Sequence, residues 1–215
     1  MTDSDKTLIA ALLDRSGSMR RIAEDMRRGF DSFIANEREQ PGVTWVTLAQ
    51  FDEIYQVVYQ DRPIGEVPSL VVEPRGRTAL LDAIGRFVTE VGAGLSALPE
   101  DRRPGDITVL VMTDGMENAS AEWTAETVRE LIAQQEGVYG WDFVFLGANM
   151  DAVEVGTRLG FAPGKSLTYD AEGDAVGGAW KAVASYSSRK RSMGPAAAPS
   201  IVFEESERRQ ARKKR

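Results

Sequence analysis

The chain contains no cysteine and no histidine. Without cysteine there are no disulfides, no thiolate nucleophile and no Cys-ligated zinc. Without histidine the usual Ser-His-Asp triad, the imidazole metal sites and the commonest general base are all excluded. Any metal has to be held by oxygen, which favours the hard cations Mg²⁺, Mn²⁺ or Ca²⁺ over zinc or copper. No apolar run approaches the roughly 18 residues that span a bilayer, so no membrane partner is expected. The opening MTDSDK is polar and acidic, unlike the basic start and apolar core of a secretory signal, and cytoplasmic residence is the expectation. No G-x-x-x-x-G-K-[ST] phosphate loop occurs. GAG at 92–94 lies inside a helical pattern and does not follow a strand, so it is not a dinucleotide turn.

What is present is 215 residues, 42% hydrophobic and 27% charged, the composition of an ordinary globular protein. The formal net charge of -7 is unevenly placed. Residues 189–215 hold nine Lys or Arg against three Glu, so that segment is +6 and residues 1–188 are -13. A body this acidic is a poor general binder of nucleic acid.

Strand and helix patterns alternate along the chain. TLIAALL (7–13) is an apolar run suited to a parallel strand covered on both faces. Met19, Ile22, Met26, Phe30, Phe33 and Ile34 recur at helical spacing. VTWVTLAQFD and YQVVYQ read as a hairpin, which puts an antiparallel strand at a sheet edge. Residues 63–77 read as a loop, and a helix with an apolar stripe starts near Thr78. ITVLVMTDG (107–115) is a second buried strand, followed by a helix, the strand WDFVFLG, a helix ending near Gly160, the short strand SLTY and a last helix. The pattern predicts an α/β fold with helices on both faces of a mostly parallel sheet. It also predicts one domain over 1–188 and a basic tail over 189–215, linker-like at GPAAAPS and then a frayed helix. A solvated charge run is the default reading of that tail, with protein docking and nucleic-acid contact as alternatives.

Two of the buried runs end on an aspartate, at LLDRSGS and VMTDG. Ligands of open α/β sheets sit at the carboxyl ends of strands where the strand order reverses. If these strands are neighbours, Asp14, Ser16, Ser18 and Asp114 meet in one crevice, with Thr78 of GRTALLD at the start of the intervening helix. Two carboxylates and three hydroxyls make an oxygen-only cation site that is short of negative charge and open to a carboxylate from outside. Each residue also has a plainer role open to it. Ser16, Ser18 and Thr78 suit helix N-caps and Asp114–Gly115 suits a turn. Asp82 is expected to orient local backbone or hydroxyls, and Asn149 to cap a helix. Arg15, Met19, Met116 and Glu117 flank the candidate site.

DRSGS resembles the D-x-S-x-S signature of the von Willebrand factor A domain. GRTALLD resembles that family's threonine-bearing second motif and VMTDGMEN its third, in the same order, over roughly residues 6–185. The resemblance implies a Rossmann-like three-layer α/β/α fold with a central sheet of about six strands, mostly parallel, with one short antiparallel edge strand. It implies a metal-ion-dependent adhesion site in which Ser16, Ser18 and Thr78 ligate the metal directly, and Asp14 and Asp114 do so directly or through water. Mg²⁺ or Mn²⁺ is implied ahead of Ca²⁺, with the open coordination position taking a Glu or Asp of a partner protein. The chain is similar to small intracellular bacterial A-domain proteins, some associated with AAA-type ATPases. The function expected is therefore a metal-dependent protein-binding module and not an enzyme. The alternative is a metal-dependent phosphohydrolase with Asp14 as nucleophile and Asp114 holding Mg²⁺. Against it, Ser16 stands where a haloacid-dehalogenase-like enzyme has its second aspartate, and no phosphate-binding lysine presents itself.

Overall fold

The first strand, β1 (Asp3–Asp14), is buried from Thr7 onward on both faces, as its unbroken apolar run requires. The computed structural model that shows this describes residues 2–212. β1 lies between β2 (Val43–Phe51) and β4 (Pro104–Thr113), parallel to both. The six-stranded sheet has the order β3-β2-β1-β4-β5-β6. β5 (Asp142–Ala148) and β6 (Ser166–Tyr169) continue it in parallel. β3 (Tyr55–Pro63) is the antiparallel edge, and at nine residues it is as long as β2, not the short strand expected. Among the described residues no helix is long and apolar enough to cross a membrane.

Alternation along β1 assigns the two helical layers, because successive side chains point to opposite faces of a sheet. Ile9, Ala11 and Leu13 join a core with α1 (Ala23–Arg38) and α5 (Gly173–Met193). Leu8, Ala10 and Leu12 join a second core with α2 (Leu80–Ala97), α3 (Ala125–Tyr139) and α4 (Ala152–Leu159). The chain begins at the middle of the sheet, builds outward to β3, and returns to the far side of β1 as β4. The strand order therefore reverses between β1 and β4, and their carboxyl ends bound a crevice.

The boundary expected at residue 188 falls inside α5, which runs unbroken to Met193. The segment beyond it is folded onto the domain through Arg212. A 3-10 turn (Pro195–Ser200) leads to α6 (Glu205–Gln210), and Ile201, Phe203 and Ala211 are buried in the α1/α5 core. Its charges have internal partners: Arg189 grips Glu207 with both terminal nitrogens, at 2.6 and 2.9 Å. Lys190 is buried, with Nζ 2.6 Å from Asp106 and 3.2 Å from Asp142. The sequence misleads here because the acidic partners of Lys190 lie on β4 and β5, far away in the chain. Lys213, Lys214 and Arg215 lie outside the described residues.

Gly178 on α5 is where the segment docks. A Cβ there would collide with the backbone oxygen of Gln210. Gly178→Ala is expected to cost about 1–3 kcal/mol through overpacking. A urea midpoint equal to that of wild type would show that α6 does not rest on α5 at this point.

Candidate metal centre

Asp14 ends β1, and its carboxylate is fully buried. One oxygen accepts the Ser16 amide at 2.6 Å and the other accepts the Thr113 hydroxyl at 2.5 Å. Thr113 is the last residue of β4, so this bond ties the two central strands together at the crevice. Thr113 Oγ1 also receives the Gly115 amide at 3.1 Å, which fixes the turn carrying Asp114. Burial pushes the Asp14 carboxyl up to about 6, against the bonds from Thr113 and Ser16. Burial also raises the Asp114 carboxyl, with the Ser18 bond and the nearby Arg21 charge opposing it.

Ser16 and Ser18 follow at the start of a 3-10 helix (Gly17–Arg21). Ser16 occupies the N-cap position, but its side chain makes no capping bond. Its Oγ lies 3.0 Å from Ser18 Oγ, and Ser18 donates to Asp114 Oδ1 at 2.5 Å. Thr78 does not cap α2 either, because Ala79 holds that position. Asn118 fixes Thr78 on both sides: its Oδ1 accepts the Thr78 amide, and its own amide donates to the Thr78 carbonyl, each at 3.0 Å.

The hydroxyls converge on Gly115. A Cβ built there would lie 2.8 Å from Thr78 Oγ1, 3.5 Å from Ser18 Oγ and 3.6 Å from Ser16 Oγ. A small space bordered by three hydroxyl oxygens is thus kept open by the missing side chain, with Asp114 bonded to the Ser18 hydroxyl and Asp14 to the Ser16 amide. Oxygen donors of this kind suit a hard divalent cation. Among the described residues no three His, Cys, Asp or Glu side chains cluster, so the candidate centre depends on its hydroxyls.

The surrounding residues position these donors. Asp52, buried at the end of β2, accepts the Ile54 amide at 2.6 Å and Arg75 Nε at 2.7 Å. Arg15 Nε lies 3.2 Å from the same carboxylate as an ion pair without hydrogen-bond alignment, while its terminal nitrogens reach Gln56 and the Ile54 carbonyl. Arg15 is thus a buried brace, and Met19 is core. Gly76, at φ +66°, turns the loop so that its carbonyl accepts the Gly17 amide. Only glycine adopts that backbone without strain. Glu117 accepts the amides of Leu81, Ala119 and Ser120; burial works to raise its carboxyl, but these donors outweigh it and hold it below its ordinary range. In return Asp82 accepts the amides of Ala121, Glu122 and Trp123. Of the flanking residues read from the sequence, Met116 remains as an exposed rim. Asn149 adopts φ +52° and accepts the Ala171 amide, and Asp151 caps α4 instead.

Thr113, Asp52, Asn118 and Gly115 were not legible as site residues. Only the Thr-Asp-Gly triplet offered a local signal for Thr113 and Gly115.

No family model and no curated protein matches the sequence. Solved structures do match. The pilus adhesin SpaC from Lactobacillus rhamnosus GG superposes with a TM-score of 0.61 at 14% identity, over 83% of this chain and 30% of that one. Von Willebrand factor type A from Catenulispora acidiphila gives 0.55 at 15% identity, over 85% and 42%. Proximal thread matrix protein 1 from the mussel byssus, in a structure with a zinc-occupied MIDAS motif, gives 0.58 at 16% identity, over 84% and 45%. The chain thus spans less than half the length of each of these proteins. The architecture they share with it, a mostly parallel six-stranded sheet with one antiparallel edge between two helical layers, is the von Willebrand factor A fold.

Proposed function

We propose that this chain is a protein-binding module that works through a divalent cation, Mg²⁺ or Mn²⁺, held by Ser16, Ser18, Thr78, Asp14 and Asp114. When bound, the cation supplies a positive charge with a coordination position that a Glu or Asp of a partner protein fills. The observation that carries this reading is the convergence of the Thr78, Ser18 and Ser16 hydroxyls around Gly115, beside both carboxylates. The donor set is rich in neutral oxygen and holds only two carboxylates, which leaves a divalent ion able to accept a third. Zinc in the mussel protein's MIDAS motif supports a divalent metal in this fold. An AAA-type ATPase system as partner rests on the sequence resemblance.

We assign no catalytic step. Asp14 is fully buried, with both oxygens engaged by Ser16 and Thr113, a poor arrangement for a nucleophile.

Calorimetric titration of Mg²⁺ and Mn²⁺ into the full chain tests the reading. Thr78→Ala is expected to weaken binding by about 100-fold or more, given that even outer-shell changes cost 10–100-fold. Gly115→Ala is expected to do the same by pushing a methyl group onto Thr78 Oγ1. Wild-type affinity in a folded Thr78→Ala protein would sink the proposal.

A further inference from the structure

A chain with a formal net charge of -7 repels acidic partners, yet the mouth of the candidate metal centre has a different electrostatic character. The loops that frame it (residues 14–21, 52–54, 73–78 and 114–118) hold five arginines: Arg15, Arg20, Arg21, Arg75 and Arg77. They face six carboxylates: Asp14, Asp52, Glu53, Glu73, Asp114 and Glu117. With a divalent ion seated there, the mouth carries net positive charge on an otherwise acidic domain.

Three of the five arginines are engaged. Arg15 and Arg75 converge on Asp52, and Arg77 pairs with Glu53 at 3.3 Å. The remaining two are different. Arg20 and Arg21 are exposed, and among the described residues no hydrogen bond or ion pair holds either side chain. Their direction follows from the 3-10 helix they end, in which residues three apart share a face. Arg21 lies over Ser18, whose hydroxyl bonds Asp114, and its charge acts on the Asp114 carboxyl. Arg20 lies over Gly17, whose amide bonds the Gly76 carbonyl between Arg75 and Arg77. By that spacing the two unengaged cations extend from neighbouring faces of the turn that carries Ser16 and Ser18.

This pair has a cost for metal binding alone, because a cation beside Asp114 repels a divalent ion. A site that recruits further negative charge gains from the same cation.

We infer that the mouth recognises an acidic peptide segment, in which one carboxylate reaches the metal and carboxylates flanking it pair with Arg20 and Arg21. The inference rests on the metal-dependent reading above and names the partner chemistry that reading leaves open.

Two synthetic peptides test it on the full chain. One has a single glutamate among glycines and serines; the other has the same glutamate with aspartates on both sides. Binding is followed by fluorescence anisotropy in Mg²⁺ and in EDTA. Expected is Mg²⁺-dependent binding of both, with the acid-flanked peptide tighter by about fivefold per arginine engaged at low salt. That advantage shrinks at high salt, because exposed pairs are screened. In the Arg20→Ala/Arg21→Ala variant the advantage disappears while Mg²⁺ affinity holds or rises. A folding defect would instead lower both affinities, which separates the two explanations. Equal Mg²⁺-dependent binding of the two peptides overturns the inference and leaves the metal-dependent reading standing. Binding of the acid-flanked peptide that survives EDTA, or no binding of either peptide in Mg²⁺, overturns both.

Discussion

Removal of residues 189–215 is expected to abolish the cooperative unfolding transition of the domain. The segment reads as a charged tail, but it closes one face of the α1/α5 core. Truncation strips Phe203 and Ile201 from a cluster that includes Tyr186, whose ring lies 5.2 Å from that of Phe203. Losses of buried side chains of this size cost about 2–5 kcal/mol each. Truncation also removes Lys190 from between Asp106 and Asp142, both buried on the sheet. Asp142 keeps Lys165 at 2.7 Å and the Tyr186 hydroxyl, but Asp106 loses the only cation paired with it among the described residues. Breaking a buried ion pair from one side costs about 3–5 kcal/mol. Together these losses rival the roughly 5–15 kcal/mol that holds a whole domain folded. A sharp urea transition in the 1–188 fragment would refute this. The point variant Lys190→Met keeps most of the volume and isolates the charge effect. It is expected to lower stability by about 3–5 kcal/mol, and adding Asp106→Asn is expected to restore part of the loss.

That misreading marks where the sequence stops being informative. β1 and β4 were legible because a strand buried on both faces has to be an unbroken apolar run, and each run stops at a carboxylate that cannot be buried cheaply. The five candidate ligands were legible only in combination, because each alone suits a helix cap or a turn while the three motifs together resemble the A-domain site. The bracing residues were not. Thr113 is a β-branched residue in a strand and looks like packing. Asp52 and Asn118 look like turn formers. Their roles arise from contacts across tens of residues, Thr113 to Asp14 and Asn118 to Thr78, which no local pattern encodes. Lys190 was hidden in the same way, because a lysine in a basic run looks solvated until β4 and β5 bring Asp106 and Asp142 beneath it.

Asp14→Asn is expected to stabilise the metal-free domain at neutral pH while abolishing its response to Mg²⁺. The buried Asp14 carboxyl has its pKa raised from 3.8 to about 6, chiefly by burial, with Asp114 adding repulsion. An acid raised in the folded state holds its proton there at pH values where the unfolded chain has released it. Stability from this group is therefore greatest at low pH and falls as pH rises from about 4 to about 6, by about 3 kcal/mol over the window. At pH 7.5 the metal-free protein carries that full penalty. A divalent ion bound by the carboxylate reverses the sign, so Mg²⁺ raises the melting temperature at pH 7.5. Its effect fades below about pH 6, as protons compete for Asp14. Asparagine suits the same surroundings without the charge: its carbonyl accepts the Ser16 amide and its amide donates to Thr113 Oγ1. The variant should thus melt higher than wild type in EDTA at pH 7.5, show no gain on adding Mg²⁺, and lose the pH dependence that Asp14 contributes. Melting curves of both proteins at pH 5 and pH 7.5, with Mg²⁺ or EDTA, give all of these comparisons. A wild-type domain equally stable in EDTA and Mg²⁺ at pH 7.5 would mean that no cation relieves the Asp14 charge. The cluster around Gly115 would then serve only to join β1 to β4.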